Sequence, residues 1–576
     1  METNDKLHNL RHSLAHLLAA AVLEIWPDTK VTLGPPIDDG FYYDFEFKSP
    51  ISDKDLPKIE KKMKEVLKTW KNFEVEEKTA EEALKYFKGN EYKTELINEI
   101  KNKGEKITFY TAGKFTDLCR GGHLENPSKE IKSDCFKLDR VAGAYWRGDE
   151  KNKMLTRIYG LAFETKEELE NYLKMREEAE KRDHKKLGRE LGLLMFHETA
   201  PGMPYWLPKG LIIYKELENY WRKKHADLGY LEIASPLINK AELWKISGHW
   251  DHYKDDMFIA DMGENEIYGI KPMNCPNAML VFKSMQVSYK DLPLRLSDTD
   301  RLHRYERSGT LNGLLRCRSF QQDDSHNYIT EDMIEDEYEK IMEICKEFYG
   351  IFNLEYKFRL GTRPEGFLGD IESWNKAEKA LHNVLKKSKK EYTVAEGDGA
   401  FYGPKIDIIM KDALGRDWQM GTMQLDFQQP KRFELEYVDK DGKRKTPVVI
   451  HRVIYGSLER FIGILIEHYA GAFPLWLSPV QVKILPISEK HLTFSEKIYQ
   501  ELKNGNIRVE LDRSNESLSK KIREAKMQKI PYLVVIGDKE EENGTVTLEG
   551  RNNEKTENLS SKNLLQKLKE EIENKK

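Results

Sequence analysis

Residues 301–326 read RLHRYERSGTLNGLLRCRSFQQDDSH, and the fold turns on this stretch. Arg301, Arg304, Arg307, Arg316 and Arg318 surround a glycine-containing turn, which predicts a strand, a loop and a second strand. Guanidinium forks match phosphate oxygens bidentately, so such a unit can grip a nucleotide. No short phosphate-loop pattern accompanies it, and taken alone the stretch reads equally as a solvated arginine face.

Working outward, 576 residues exceed one ordinary core and predict several domains. The chain is 39% hydrophobic and 33% charged, enough for sizeable cores beneath a solvated surface. The five cysteines (Cys119, Cys135, Cys275, Cys317, Cys345) are odd in number and sparse, which argues against a secreted disulfide framework and for reduced thiols or metal ligands in a cytoplasmic setting. The apolar run LAHLLAAAVLEIW (14–26) has the look of a signal h-region, but His16 interrupts it and an amphipathic helix fits as well. No uninterrupted apolar segment is long enough to span a bilayer, so no membrane partner is expected. A net charge of −4 neither announces nor excludes a nucleic-acid partner, because local basic patches suffice for one.

Thr165 to about Arg189 alternates charge signs at helical spacing and predicts a connecting helix, followed by the loop-like TAPGMPYWLPKG (199–210). Pro474 and Pro479 punctuate a second boundary near Leu475, beyond which strands and helices alternate as in a small α/β domain with a mostly parallel sheet. FYYDFEF (41–47) alternates like a strand of an N-terminal α+β unit.

Upstream of the arginines, IASPLI (233–238) predicts a strand carrying Pro236; downstream, VIHRVIYGSLERF (449–461) predicts a helix after Gly456 that presents Arg460. These three pieces, in this order, resemble motifs 1, 2 and 3 of the class II aminoacyl-tRNA synthetases. GHWDHYKDDMF (248–258), KPMNCPNAM (271–279), RSFQQDDSH (318–326), AFYGPKIDI (400–408) and WQMGTMQLDF (418–427) are similar to the threonyl branch of class IIa, and the resemblance covers almost the whole chain. It implies a multidomain α+β and α/β protein. Residues 1–164 would form an α+β editing domain, 165–186 a connecting helix, 187–474 a catalytic antiparallel sheet flanked by helices, and 475–576 an α/β anticodon-binding domain. The implied activity is ATP-dependent activation of L-threonine and its transfer to tRNA(Thr), in a homodimer built on motif 1.

Carried over by position, the resemblance puts Arg304 on the α-phosphate and Arg460 on the γ-phosphate of a bent ATP, Glu306 on the adenine amino group and Arg316 on the phosphates. Lys405 would stabilise the reacting carboxylate or α-phosphate, and His249 would assist transfer to the terminal ribose. Charge builds on phosphate oxygens during the attack, so fixed cations and Mg²⁺ on the phosphates supply most of what a protein can offer.

Cys275, His326 and His451 lie far apart, and their spacing nominates nothing; by resemblance they are ligands of one zinc ion. A Cys/His₂ set leaves a coordination position open, as working rather than closed sites do. In the family the threonine amino and hydroxyl groups both bind the zinc, making it five-coordinate, and Gln322, Asp324, Tyr402 and Gln424 are the matching residues around them. A site that bonds the hydroxyl rejects isosteric valine by roughly four orders of magnitude. Serine keeps both groups and lacks one methyl, a difference of about 1–3 kcal/mol, so a second, hydrolytic site is expected.

The N-terminal segment offers residues for that site. RHSLAHLLA (11–19) places His12 and His16 on one helix face, DLCRGGH (117–123) adds Asp117, Cys119 and His123, and YKTELI (92–97) adds Lys93. HxxxH with CxxxH is also plausible zinc-hydrolase chemistry, a pattern that alanyl-tRNA synthetase editing domains share. The threonyl family instead clears seryl-tRNA with water positioned by His, Lys and Asp, generally without metal. The family's bacterial members usually carry a further small domain ahead of the editing unit; here the editing-like helix begins almost at Met1, and that domain is expected to be missing. At the other end Asn515 and Glu540 match anticodon-reading positions, while Glu549, with Arg551 nearby, stands where the family has an arginine. The rival reading, a catalytically inactive RNA-binding regulatory paralogue, would be expected to lose Arg304, Arg460 or a zinc ligand, and all are present.

Overall fold

The computed structural model describes residues 2–412 and 415–576; Met1, where the expected editing domain begins, lies outside them. The chain divides into two compact units, Met1–Glu177 and Glu178–Lys576.

In the first unit, the run that resembled a signal h-region belongs to α1 (Glu2–Ile25). Alanine and leucine favour this helix, and Pro27 disfavours its continuation. Over residues 13–22 it is buried on every face rather than amphipathic. Leu14, Leu17, Leu18 and Val22 are fully buried, because α1 packs against both the strand β1 (Gly40–Glu46) and α2 (Leu56–Leu67). Each such leucine contributes about 1.5–3 kcal/mol on transfer from water. Helix α3 (Glu91–Asn102) carries Lys93, and the antiparallel pair β2 (Ile107–Ala112) and β3 (Phe115–Leu118) carries Asp117. Strands β4 (Phe136–Tyr145) and β5 (Met154–Ala162) complete an antiparallel sheet with β1.

The predicted connecting helix is two helices. α4 (Lys166–Arg182) stops at Asp183, whose carboxylate accepts the N–H groups of Lys185 and Lys186 and caps α5 (His184–Glu190).

The second unit centres, among the described residues, on a nine-stranded sheet. Its strands are β6 (Leu231–Glu232), β7 (Leu294–Asp298), β8 (Arg301–His303), β9 (Ser319–Ile329), β10 (Lys357–Gly361), β11 (Tyr392–Ala395), β12 (Lys405–Lys411), β13 (Asp417–Asp426) and β14 (Val448–Ser457). Their order is β6-β7-β9-β14-β13-β12-β10-β11, with β8 on β9; only the two edge pairs, β6/β7 and β10/β11, are parallel. Between β9 and β14 the register jumps. Gln322 faces Ser457 and Asp324 faces Val453, so residues 454–456 bulge opposite the single residue Asp323.

Two strand expectations are corrected. IASPLI is not one strand: residues 233–237 lie between β6 and the short strand Ile238–Lys240. Pro236 has no N–H to give a ladder, and Ser235 instead bonds Asp300 through both its N–H and its hydroxyl, at 2.8 and 2.9 Å. The C-terminal sheet is mixed rather than mostly parallel. β15 (Val482–Pro486) pairs in parallel with β16 (Val509–Leu511) and β17 (Tyr532–Ile536), reached through helical crossovers. β18 (Val546–Gly550) and β19 (Lys555–Leu559) return by shorter connections and are antiparallel. No helix among the described residues is long and apolar enough to cross a membrane.

Candidate functional site

The sheet register joins residues that sequence spacing could not. His326 on β9 and His451 on β14 are direct cross-strand partners, and Cys275 opens helix α6 (Cys275–Lys283) beside them. Their ligand atoms all lie within 4.8 Å of one another, and all three residues are buried. His451 Nε2 is 2.9 Å from Asp426 Oδ2, a contact that fixes the ring and leaves Nδ1 for another partner. His326 Nδ1 is buried with no partner, and burial pushes the Cys275 thiol well up and the His326 imidazole well down. A buried, unpaired imidazole nitrogen beside a thiol and a carboxylate-braced histidine is the donor set that suits zinc, and a cation there would satisfy all three.

Gln322, Asp324, Tyr402 and Gln424 line the same cavity of about 640 Å³. Tyr402 OH donates to Gln424 Oε1 at 2.5 Å, and Asn274 Nδ2 donates to Asp324 Oδ2 at 3.3 Å. Burial raises the Asp324 carboxyl to about 6. The wall thus presents oxygen acceptors beside the trio, fit for a small cation bearing a hydroxyl.

Arg304, Glu306, Arg316 and Arg460 line the rest of the cavity. Arg304 Nε donates to Pro272 O at 3.1 Å, and its guanidinium lies 5.1 Å from the Phe320 ring centre. Arg316 and Glu306 pair at 2.8 Å. Arg460 stands in the first turn of α7 (Leu458–His468), capped by the Ser457 hydroxyl, and donates to Leu315 O (2.8 Å) and Gln419 O (2.5 Å). Burial lowers its pKa from the ordinary arginine value. Three guanidinium groups with one carboxylate among them leave this half of the cavity suited to a polyanion.

His249 lies in the cavity wall, its Nδ1 2.8 Å from Ser247 Oγ; burial, with His451 and Arg304 nearby, lowers it to about 3, so the ring is neutral across the physiological range. Lys405 is not among the lining residues. Its amine is held 3.1 Å from Asp407 and 3.3 Å from Asp398.

All six N-terminal residues come together around a second cavity of about 410 Å³ or in contact with its wall. Cys119 Sγ is 3.5 Å from His12 Nε2 and 3.2 Å from His123 Nε2, and the His12 and His123 rings stack at 4.3 Å. Lys93 pairs with Asp117, and His16 Nδ1 lies 3.6 Å from the same carboxylate. Burial drives His123 down to about 2 and the Cys119 thiol up to about 11. Sequence reasoning missed Tyr43, whose hydroxyl donates to Asp117 Oδ2 at 2.6 Å. The alternation of FYYDFEF put it on the face of Phe41 and Phe45, which disguised it as core.

In the C-terminal sheet region Asn515 is exposed ahead of α8 (Leu518–Met527). Glu540 accepts from Gly537 N–H at 3.0 Å and from the Thr547 hydroxyl at 2.8 Å, and so caps its own helix. Glu549 is buried between Lys526 (3.1 Å) and Lys555 (3.5 Å). Arg551 spends its donors on the carbonyls of Ala472, Phe473 and Lys529.

An antiparallel sheet presenting three arginines over a deep cavity is the architecture of a class II synthetase core. The class model "tRNA synthetase class II core domain (G, H, P, S and T)" matches residues 258–469, "Anticodon binding domain" matches 481–571, and "Threonyl and Alanyl tRNA synthetase second additional domain" matches 107–159. The chain is 51% identical over 563 residues to threonine–tRNA ligase of Caldanaerobacter subterraneus subsp. tengcongensis, covering 97% of this chain and 87% of that protein. It is 49% identical to the corresponding enzyme of Acetivibrio thermocellus, over 98% of this chain and 88% of that one. A crystal structure of the RNA-binding domain of threonyl-tRNA synthetase from Cryptosporidium parvum Iowa II superposes with a TM-score of 0.66 at 42% identity, covering 68% of this chain and 98% of that one. The putative threonyl-tRNA synthetase of Aeropyrum pernix gives 0.61 at 29% identity, covering 69% and 96%. The chain belongs to the threonine–tRNA ligase family.

Proposed function

We propose that this enzyme activates L-threonine with ATP, transfers it to the 3′ end of tRNA(Thr), and clears seryl-tRNA(Thr) at the separate N-terminal site. The observation that carries this reading is the single cavity in which Asp324, Tyr402 and Gln424 adjoin the Cys275–His326–His451 trio while Arg304, Arg316 and Arg460 occupy the remainder. The proposed domains are editing at 1–164, a connector at 165–186, catalysis at 187–474 and anticodon binding at 475–576, with α5 running across the end of the connector.

Cys275, His326 and His451 would hold zinc, with Asp426 orienting His451. Zinc bound there would supply Lewis-acid binding of an amino group and a neighbouring hydroxyl together. Asp324 and Gln322 would hold the amino group, and the Tyr402–Gln424 pair would engage the hydroxyl. Valine lacks the hydroxyl and would leave the metal unsatisfied, which costs far more than a lost methyl.

Arg304 and Arg460 would fix the α- and γ-phosphates, Mg²⁺ brought with ATP would add positive charge there, and Glu306 would read the adenine amino group. The threonine carboxylate then attacks the α-phosphorus and pyrophosphate leaves. The arginines are already in place as charge grows, so little reorganisation is needed. His249, neutral and braced by Ser247, would accept the ribose hydroxyl proton as that oxygen attacks the aminoacyl carbonyl and AMP departs. Lys405, paired with Asp398 and Asp407, would stabilise the reacting carboxylate or α-phosphate.

In the editing cavity His12, His16, Lys93, Asp117, Cys119 and His123 would position the water that cleaves the seryl ester. Asn515 would contact the anticodon. Glu540 would do so only by giving up its helix cap. The exposed apolar side chains Leu231, Leu237 and Ile238 around motif 1 support a homodimer, and the thiol usage supports a cytoplasmic home. Threonine-dependent exchange of pyrophosphate into ATP tests the reading; its absence in zinc-replete protein defeats it.

A further inference from the structure

Asp323 is 1% exposed, and the reaction above does not use it. Its neighbours Gln322 and Asp324 line the cavity, whereas Asp323, on the other side of β9, does not. Its carboxylate faces the 454–456 bulge of β14 and accepts three successive backbone N–H groups. Those of Tyr455 and Gly456 each lie at 3.0 Å, and that of Ile454 reaches both oxygens, at 3.0 and 3.2 Å. The bulge has left the β9 ladder, so without Asp323 these donors would be buried and unsatisfied.

The bulge leads directly into the nucleotide half of the cavity. Gly456 has φ +77°, and a Cβ there would stand 2.0 Å from Met420 O, so the turn is tightly defined. Ser457 follows and caps α7 by accepting the Arg460 N–H at 3.0 Å, which starts the helix at the position that lays Arg460 against Leu315 O and Gln419 O. A shift of the bulge therefore shifts Arg460.

We propose that Asp323 is a positioning residue for nucleotide binding: by gathering the three N–H groups of the bulge it fixes the strand-to-helix turn that aims Arg460. This rests on the assignment of Arg460 to ATP. Asp323→Asn keeps the size of the side chain but turns an N–H₂ group toward backbone donors, so the bulge must move.

The test uses the full chain and threonine-dependent pyrophosphate exchange, with KM measured separately for ATP and threonine, in Asp323→Asn, Arg460→Ala and the double variant. Glu337→Gln is the stability control. Glu337 is buried and accepts from Arg295 and Asn327, away from the bulge. Asp323→Asn is expected to raise KM for ATP about tenfold and leave KM for threonine within about twofold, and Glu337→Gln to lower Tm without that split. Because Asp323 acts through Arg460, the double variant is expected to be no worse for ATP than Arg460→Ala alone. Equal changes in both KM values, or effects that multiply in the double variant, overturn the proposal. If Arg460→Ala itself leaves KM for ATP unchanged, the nucleotide assignment falls first and the proposal with it.

Discussion

The two cysteine–histidine clusters use the same side chains and differ in what surrounds them. In the central trio one histidine nitrogen has no partner, another ring is braced by Asp426, and the nearby groups are acceptors: Asp324, Gln322 and Gln424. In the N-terminal cluster His16 Nδ1 is likewise buried without a hydrogen-bond partner, and the ligand atoms of His12, His16, Cys119 and His123 also lie within 4.8 Å of one another. There, however, the histidines pack on one another and on Cys119, and the buried Lys93–Asp117 pair, joined by Tyr43, sits one step away. Both sets hold a donor atom with unfilled valence, but only the central one has no ammonium paired beside it, which suits a resident cation. Neutral imidazoles beside an ammonium–carboxylate pair suit water and a polarised ester. Residue type alone does not separate the two; the neighbours do.

The largest expected effect breaks the central site alone. Cys275→Ala or His326→Ala should lower threonine activation about a thousandfold or more and release the metal, while hydrolysis of preformed seryl-tRNA(Thr) stays near the parent rate. Activation and deacylation assays with metal analysis check this. The converse is Asp117→Asn, expected to slow seryl-tRNA clearance about a hundredfold or more and leave pyrophosphate exchange intact. Removing one partner of a buried ion pair also destabilises, so the first unit should unfold at a lower temperature. A smaller effect is expected from Asp426→Asn, which keeps all three ligands but weakens the hold on His451: metal affinity should fall about 10–100-fold, measured by competition with a chelator.

The smallest effect is in pH. His123 and His249 are held near 2 and 3 in the folded chain, below the ordinary 6.5. The unfolded chain therefore binds more protons than the folded one below about 6.5, and stability rises with pH up to that point and then levels. Denaturant unfolding between pH 4 and 8 should show this rise, and His123→Asn should reduce it for the first unit, where burial lowers His12 and His16 as well.

Much of this was legible in sequence for a physical reason. Arginines around a glycine turn and HxxxH on a helix are local patterns, and the family resemblance supplied their order. What stayed hidden was set by pairing across distant strands. Asp426 and Tyr43 act through partners 25 and 74 residues away. Asp323 looked like one more residue of QQDDSH until the register jump gave it three donors. Lys405 sits in a motif whose spacing did not show its pairing with Asp398 and Asp407. Pro236 was noticed, but its consequence, a strand broken over 233–237, depended on Asp300 being there to take up Ser235.

The most direct test of the division between the two clusters is to strip the full chain with a chelator and then assay both activities before and after zinc is returned. Threonine-dependent pyrophosphate exchange should fall and recover with zinc, and seryl-tRNA(Thr) clearance should persist throughout. Clearance lost and regained together with exchange, or exchange that survives complete metal removal, would contradict it.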